Sequence, residues 1–145
     1  MKAFELTEEL LTGIDEIDGQ HRKLIGWAND LTSDQVVADD KRINEALNNL
    51  DGYVAYHFQS EEEAMHKYGY DLLEKHKKQH ERLTREVSEL FARAEKEGAS
   101  KGLMAELQYM FADWIQLHIK EWDQPFAAFL KSQSVSPSVS FSEGE

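Results

Sequence analysis

The chain has 145 residues, of which 41% are hydrophobic, and a formal net charge of -12 from 28 acidic and 16 basic side chains. This length suits one compact domain, and the excess of acidic residues argues against a general binder of nucleic-acid backbones or of anionic membranes. The chain has no cysteine, which excludes disulfides, zinc–thiolate sites and iron–sulfur clusters.

Four amphipathic helices are predicted along the chain. Apolar residues recur at steps of three and four, which is the spacing of one helical face, and no proline interrupts the chain before Pro125. The predicted helices span about 17–32, 39–67, 71–97 and 100–121. An extended arm over residues 1–16 precedes them, and Pro125 allows a kink or a new short helix through Leu130. Four such helices with short connections predict an all-α, up-down-up-down four-helix bundle.

The expected helix ends rest on capping residues. A side chain that can accept a hydrogen bond from a free N–H stands at the start of each predicted helix, at Asp18, Asp39-Asp40, Asp71 and Ser100. Gly98 is expected to end the third helix, because glycine adopts the left-handed conformation that often follows a last turn.

Histidines and carboxylates interrupt the apolar stripe of every predicted helix. A buried imidazole or carboxylate is costly unless something binds it, although any one of them alone is typical of a hydrogen-bonded core residue. Seven together indicate a shared partner, and a pair of metal ions accounts for all of them. They are His21, His57, Glu61, His76, His80, His118 and Asp123.

The spacing within each helix favours a common centre. His57 and Glu61 are four residues apart, as are His76 and His80, so each pair lies on one helical face. The last pair is five residues apart, which a continuous α-helix would splay. We therefore expect a relaxed or broken last turn before Pro125.

Seven protein groups exceed the four ligands of a structural zinc site. Five imidazoles with one bond each and two bridging carboxylates with two bonds each give nine bonds to two ions. A solvent-derived oxo or hydroxo bridge adds two, which leaves one of the twelve positions of two six-coordinate ions open for a small ligand. Imidazole and carboxylate ligands suit first-row metals, and iron is the usual choice where dioxygen is involved.

The order H…HxxxE…HxxxH…HxxxxD on four helices resembles the hemerythrin family, and in particular its bacterial branch, bacteriohemerythrin. The likeness covers about residues 4–130. Further matching stretches are Thr12-Gly13-Ile14, Ile17-Asp18, Gln20-His21, His57-Phe58, Glu61-Glu62, Met65, Gly69-Tyr70, Asp113-Trp114 and His118-Ile119. One departure is Phe126, three residues after the last ligand, where relatives often carry tyrosine.

The resemblance implies two iron ions bridged by Glu61, Asp123 and a solvent-derived oxo or hydroxo group. The iron without an open position would be held by His76, His80 and His118. The iron with the open position would be held by His21 and His57. Dioxygen would bind at that position in an apolar pocket, for which our candidates are Leu24, Phe58, Trp114 and Ile115.

The function implied by the resemblance is reversible dioxygen binding, for transport, storage or delivery to oxygen-requiring enzymes, with no catalytic residue. Two alternatives stay open: a sensor of dioxygen, nitric oxide or redox state that acts on a signalling partner, and a di-iron peroxidase or nitric oxide scavenger. No free general base is apparent for an enzyme. Within the ligand set, Glu61 starts a run of three glutamates, and a shift of one residue would select Glu62.

Two parts of the chain are predicted. Residues 1–131 form a hemerythrin-like four-helix domain, and residues 132–145 form a serine-rich, flexible and disordered tail that could bind a partner. No apolar run approaches the ~20 residues of a membrane span, and the N-terminus lacks the apolar stretch of a signal peptide. We expect a cytoplasmic protein without a nucleic-acid or membrane partner, and the sequence indicates no oligomeric state.

Overall fold

The computed structural model describes residues 4–33, 40–98, 100–139 and 141, and no β-strand occurs within these ranges. The α-helices are α1 (Asp15–Asp30), α2 (Asp40–Lys67), α3 (Leu73–Glu97), α4 (Lys101–His118) and α5 (Gln124–Ser132). A 3-10 turn at Glu8–Leu10 precedes α1, and a π-helical segment at Ile119–Asp123 joins α4 to α5.

The four long helices form a bundle. α1 packs against both α2 and α4, and α2 also packs against α3. The packed pairs α1–α2, α2–α3 and α1–α4, together with the likeness to solved bundles described below, confirm the predicted all-α, up-down-up-down architecture. No helix within the described ranges has the length and apolar character needed to cross a membrane.

The apolar stripes meet in two core clusters, and the candidate ligands lie between them. The larger cluster fills the body of the bundle and includes Leu24 of α1 and Val54 of α2. The smaller one gathers Ile17 and Met65 with residues of α5. A fully buried aliphatic side chain stabilises the fold by roughly 1.5–3 kcal/mol, so these two clusters hold the polar layer between them in place.

The predicted start of α1 is wrong by two residues. The helix begins at Asp15, and Asp18 lies in its first turn, where it is not the N-cap. The Asp18 carboxylate instead accepts hydrogen bonds from the backbone N–H and the hydroxyl of Thr12 (2.9 and 2.8 Å) and from the N–H of Gly13 (3.2 Å). This residue therefore ties the preceding arm to the helix, a role that its helix-starting character does not reveal.

The other predicted ends give mixed results. Ser100 is the N-cap of α4, and its hydroxyl accepts from the N–H of Leu103 at 3.0 Å. Gly98 ends α3 with a φ of 85°, which confirms both predictions. Asp71 is not a cap, because α3 starts only at Leu73. The predicted first residue of the second helix, Asp39, lies outside the described residues.

A π-helical turn replaces the relaxed last turn that the spacing of five residues predicted. The N–H of Gln124 donates to the carbonyl of Ile119, five residues earlier. Such single π-turns insert one extra residue into a helix and are frequent at functional sites. Here the turn brings residue 123 back to the side of the helix that carries His118.

The C-terminal segment contacts the bundle beyond α5. The Pro137 carbonyl accepts from the N–H of Asp15 at 2.8 Å, and Val135, Val139 and Phe141 pack against the smaller core cluster. The serine-rich composition predicted disorder here, but three apolar side chains spaced among the serines give the described part of the segment a specific place on the fold.

Candidate metal centre

The structure brings all seven predicted ligands together in one buried layer. Each of the four long helices contributes at least one of these residues, and the π-turn contributes Asp123. The seven side chains are between 0% and 3% exposed. Their donor atoms form two groups that share both carboxylates. The groups are Glu61, His76, His80, His118 and Asp123, and His21, His57, Glu61 and Asp123.

The two oxygens of Glu61 face different imidazoles. Oε1 lies 3.1 Å from Nε2 of His80 and 3.5 Å from Nε2 of His76. Oε2 lies 3.9 Å from Nε2 of His57, one helical turn earlier on α2. This carboxylate therefore lies between two sets of histidines.

Asp123 divides its oxygens in the same way. Oδ1 lies 3.1 Å from Nε2 of His76 and 3.2 Å from Nε2 of His118. Oδ2 lies 2.8 Å from Nε2 of His21. Each carboxylate thus has one oxygen near two of the three imidazoles of His76, His80 and His118, and its other oxygen near one imidazole, that of His57 or that of His21.

Several atoms in this layer have no partner that a protein would normally provide. Within the described residues, Nε2 of His57, Nε2 of His80 and both oxygens of Glu61 are buried without a hydrogen bond. Buried polar atoms are rarely left unpaired. Imidazole nitrogens and carboxylate oxygens around one space are suitable ligands for first-row metal ions, so the residues present fit a metal pair.

The histidines keep both carboxyl groups ionised. Burial and the nearby Asp123 would raise the pKa of Glu61, but the surrounding His57, His76 and His80 outweigh them and lower it to about 2. Burial would likewise raise the pKa of Asp123, but His118, His21 and His76 hold it well below its usual range. Two buried negative charges therefore require positive charge beside them.

The imidazoles respond differently to the same layer. Burial lowers the pKa of His57 to about 3, despite the nearby carboxylates. Burial would lower the pKa of His76, but the hydrogen bond to Asp123 and the negative charge of the nearby Glu61 outweigh it and raise the pKa to about 9. His57 is thus neutral at ordinary pH and ready to act as a ligand, whereas His76 must lose a proton first.

Aromatic rings cover one side of the layer. Phe58 stacks on His80 with ring centroids 4.0 Å apart, and Trp114 stacks on His118 at 4.6 Å. The other two pocket candidates, Leu24 and Ile115, are fully buried in the larger core cluster. All four candidates thus lie in the larger core cluster or pack against it, and their role as a dioxygen pocket stays a prediction.

Phe126, the departure from the family pattern, lies on the opposite side. Its ring is buried and meets His76 edge to face at 6.4 Å, and Tyr70 packs on it at 5.0 Å. A hydrocarbon edge therefore faces His76 at the position where relatives often carry a phenol.

Two partners of the histidines were not found from the sequence. The Nδ1–H of His80 donates to Glu62 at 2.8 Å, and the Nδ1–H of His57 donates to the amide oxygen of Gln20 at 2.7 Å. Each partner is the sequence neighbour of a predicted ligand, at Glu61 or His21. That adjacency was the available signal, but only the distances between helices show which histidine each one reaches.

The comparisons with known proteins agree on one family. Residues 12–130 match the family model described as the hemerythrin HHE cation binding domain. The chain is 33% identical over 125 residues to a bacteriohemerythrin of Stenotrophomonas maltophilia, covering 86% of this chain and 80% of the relative. A bacteriohemerythrin of Clostridium acetobutylicum is 31% identical over 127 residues, covering 85% of this chain and 98% of the relative.

Solved structures show the same fold. A crystal structure of a hemerythrin variant superposes with a TM-score of 0.75 at 26% identity, covering 88% of this chain and 97% of that chain. A crystal structure of wild-type hemerythrin gives a TM-score of 0.69 at the same identity, covering 81% of this chain and 88% of that chain.

Proposed function

The chain belongs to the hemerythrin family of non-haem iron, dioxygen-binding proteins, and we propose that it binds dioxygen reversibly at two iron ions between its four helices. The proposed iron ligands are the seven residues of the buried layer. Glu61 and Asp123 would bridge the ions together with a solvent-derived oxo or hydroxo group.

The division of the carboxylate oxygens is the observation that carries this proposal. Each carboxylate has one oxygen near the set His76, His80 and His118 and the other near the set His21 and His57. The first set supplies one imidazole more than the second. The ion on the side of His21 and His57 would therefore have one coordination position left for a small ligand.

When bound, two ferrous ions would supply the two electrons that reversible dioxygen binding needs. The protein contributes five imidazoles and only two carboxylates, so its ligands bring little negative charge. They therefore stabilise high oxidation states of iron less than a carboxylate-rich set of ligands would. Phe58 and Trp114 stack on the ligands His80 and His118 and limit the access of water. These features favour binding and release of dioxygen over its use in a reaction.

We therefore assign the protein to oxygen transport, storage or delivery, and we assign it no catalytic residue. Leu24 and Ile115 are fully buried in the larger core cluster, three residues along the helix from His21 and His118, and apolar surroundings suit a small uncharged ligand better than a polar substrate. The cytoplasmic location stays a prediction.

Anaerobic loading with ferrous iron tests the proposal. We expect two irons per chain, and a charge-transfer band that appears on exposure to air and disappears under argon over repeated cycles. Stopped-flow spectroscopy then measures how long the oxygenated form lasts. A protein that holds no iron pair contradicts the proposed site, and one that loses the oxygenated form within seconds contradicts the carrier role.

A further inference from the structure

Gln20 is a buried amide with all of its main hydrogen-bonding groups in use. It is 2% exposed. Its Nε2 donates to Oε2 of Glu16 at 3.0 Å and to Oγ of Ser60 at 3.1 Å. Because an amide nitrogen has two hydrogens, both are committed, and the amide oxygen is the atom that meets Nδ1 of His57 at 2.7 Å.

Glu16 determines which way the amide points. A carboxylate can only accept hydrogen bonds, so the NH2 group of Gln20 must face it. The reversed amide would place two oxygens together at Glu16 and would turn an N–H group towards Nδ1 of His57. The second oxygen of Glu16 accepts from the backbone N–H of Phe141 at 3.2 Å, which connects the C-terminal segment to the same network.

This network selects one form of His57. The amide oxygen of Gln20 only accepts, so Nδ1 of His57 carries the proton. A neutral imidazole protonated on Nδ1 has its free lone pair on Nε2. Nε2 of His57 is buried without a hydrogen-bond partner among the described residues, 3.9 Å from Oε2 of Glu61. The lone pair is thus directed into the space between the carboxylates.

We propose that Gln20 and Glu16 are positioning residues that select the metal-binding tautomer of His57, with Phe141 holding the outer end of the network. The inference rests on the proposed metal site and extends it beyond the seven ligands. His57 is one of only two imidazoles on the side proposed to bind dioxygen. Loss of its tautomer would therefore weaken that side far more than the other.

The tautomer can be observed without any bound metal. In protein labelled with 15N-histidine, protonated and unprotonated ring nitrogens have well separated NMR frequencies, so the spectrum identifies the nitrogen that carries the proton. We expect His57 of the wild type to be protonated on Nδ1 alone. Gln20→Met keeps the side-chain length but removes the acceptor, and should give a mixture of the two tautomers.

Metal affinity provides a second readout. Loss of a partner that orients a ligand typically costs 10–100-fold in metal affinity, and we expect a fall of about this size for Zn²⁺ binding to Gln20→Met. Zn²⁺ has no redox chemistry, so competition with a chelator measures affinity independently of dioxygen. Gln59→Met is the matched control, because Gln59 forms a comparable bond to Glu63 at 3.1 Å on the exposed surface.

An exchange of the two positioning residues tests the direction of the network. Glu16→Gln alone allows the Gln20 amide to reverse and should mix the tautomers. Adding Gln20→Glu places a carboxylate at position 20, which accepts from His57, and the new amide at position 16 donates to that carboxylate. The double variant should therefore restore the single tautomer and most of the Zn²⁺ affinity. The exchange preserves side-chain size, so it decides the question even if Gln20→Met does not fold.

The inference is overturned if Gln20→Met keeps the single Nδ1–H tautomer and binds Zn²⁺ within twofold of the wild type, or if the double variant remains as impaired as Glu16→Gln. A wild type that fails to bind an iron pair would refute the proposed function. The tautomer comparison would still decide whether Gln20 and Glu16 position His57.

Discussion

Lowering the pH from 9 to 7 should weaken metal binding on the order of 100-fold. His76 lies 3.1 Å from Oδ1 of Asp123 and 3.5 Å from Oε1 of Glu61, and the two carboxylates raise its pKa to about 9. The metal needs the same nitrogen in its neutral form. Each pH unit below the pKa therefore costs about tenfold in apparent affinity, and two units give the stated factor.

The same pKa shifts change the stability of the protein without bound metal. The folded pKa of His76 is about 9, above the ordinary 6.5, so its contribution is full below pH 6.5 and is lost as the pH rises through 9. Burial lowers the pKa of His57 to about 3. Between pH 6.5 and 3 the unfolded chain therefore holds a proton on His57 that the folded chain lacks, so stability decreases as the pH falls through this interval. Glu61, lowered to about 2 from 4.5, adds a further loss as the pH falls below 4.5.

Calorimetric titration with Zn²⁺ in two buffers of different protonation enthalpy measures the released protons. At pH 7 we expect about one proton or more per chain, because His76 is charged and the carboxylates also raise the pKa values of His21 and His80 above the ordinary value. His66→Gln, at an exposed histidine outside the layer, is the control. It should change neither the pH dependence of the Zn²⁺ affinity nor the number of protons released. An affinity that stays constant from pH 7 to 9, with no proton released at pH 7, would refute this reasoning.

Three further predictions concern the ligands and the C-terminal segment. Glu61→Ala removes the group that contacts both sets of imidazoles, so iron content should fall from two per chain towards zero, while Glu63→Ala on the exposed side of the same helix should leave it unchanged; iron analysis measures both. Glu62→Gln keeps an acceptor for the ring N–H of His80 but removes a negative charge. The reduction potential of the iron pair should therefore rise, as measured by spectroelectrochemical titration, while the iron content stays unchanged. Deleting residues 133–145 removes the carbonyl that accepts from the N–H of Asp15, so hydrogen exchange at that amide should become faster by tenfold or more, as about 1.4 kcal/mol of lost protection implies.

Each of these has a clear contrary result. Two irons per chain in Glu61→Ala would remove this residue from the ligand set. An unchanged potential in Glu62→Gln would mean that its charge does not reach the metal. Unaltered exchange at Asp15 after the deletion would mean that the C-terminal segment does not hold the start of α1.

The four stripes and the polar residues that meet in the buried layer could be predicted because they depend on local periodicity. Steps of three and four fix which side chains share a helical face, and the polar residues on those faces stand out against an apolar pattern. Selecting Glu61 over Glu62 required only the register of α2. The structure places Glu61 in the layer and directs Glu62 to the ring N–H of His80 instead.

Features that depend on contacts between distant residues could not be predicted in this way. Asp18 has the composition of an N-cap, but its partners Thr12 and Gly13 lie before the helix and are brought to it by the path of the arm. Gln20 has no distinguishing pattern of its own. Its role emerges only because α1 and α2 pack closely enough for its amide to reach His57.

The five-residue spacing of the last pair of proposed ligands, His118 and Asp123, is linked both to the buried layer and to the packing of α5. In a continuous α-helix, with 3.6 residues per turn, Asp123 would lie about 140° around the axis from His118 and could not share the centre with it. The extra residue of the π-turn returns Asp123 to the side of His118, so that its Oδ1 lies 3.2 Å from Nε2 of His118. The same turn directs α5 so that Phe126 and Leu130 are fully buried in the smaller core cluster. The stabilisation from that burial holds the π-turn in place. The spacing in the sequence could therefore predict that the helix is irregular here, but the type of turn depends on the tertiary packing of α5.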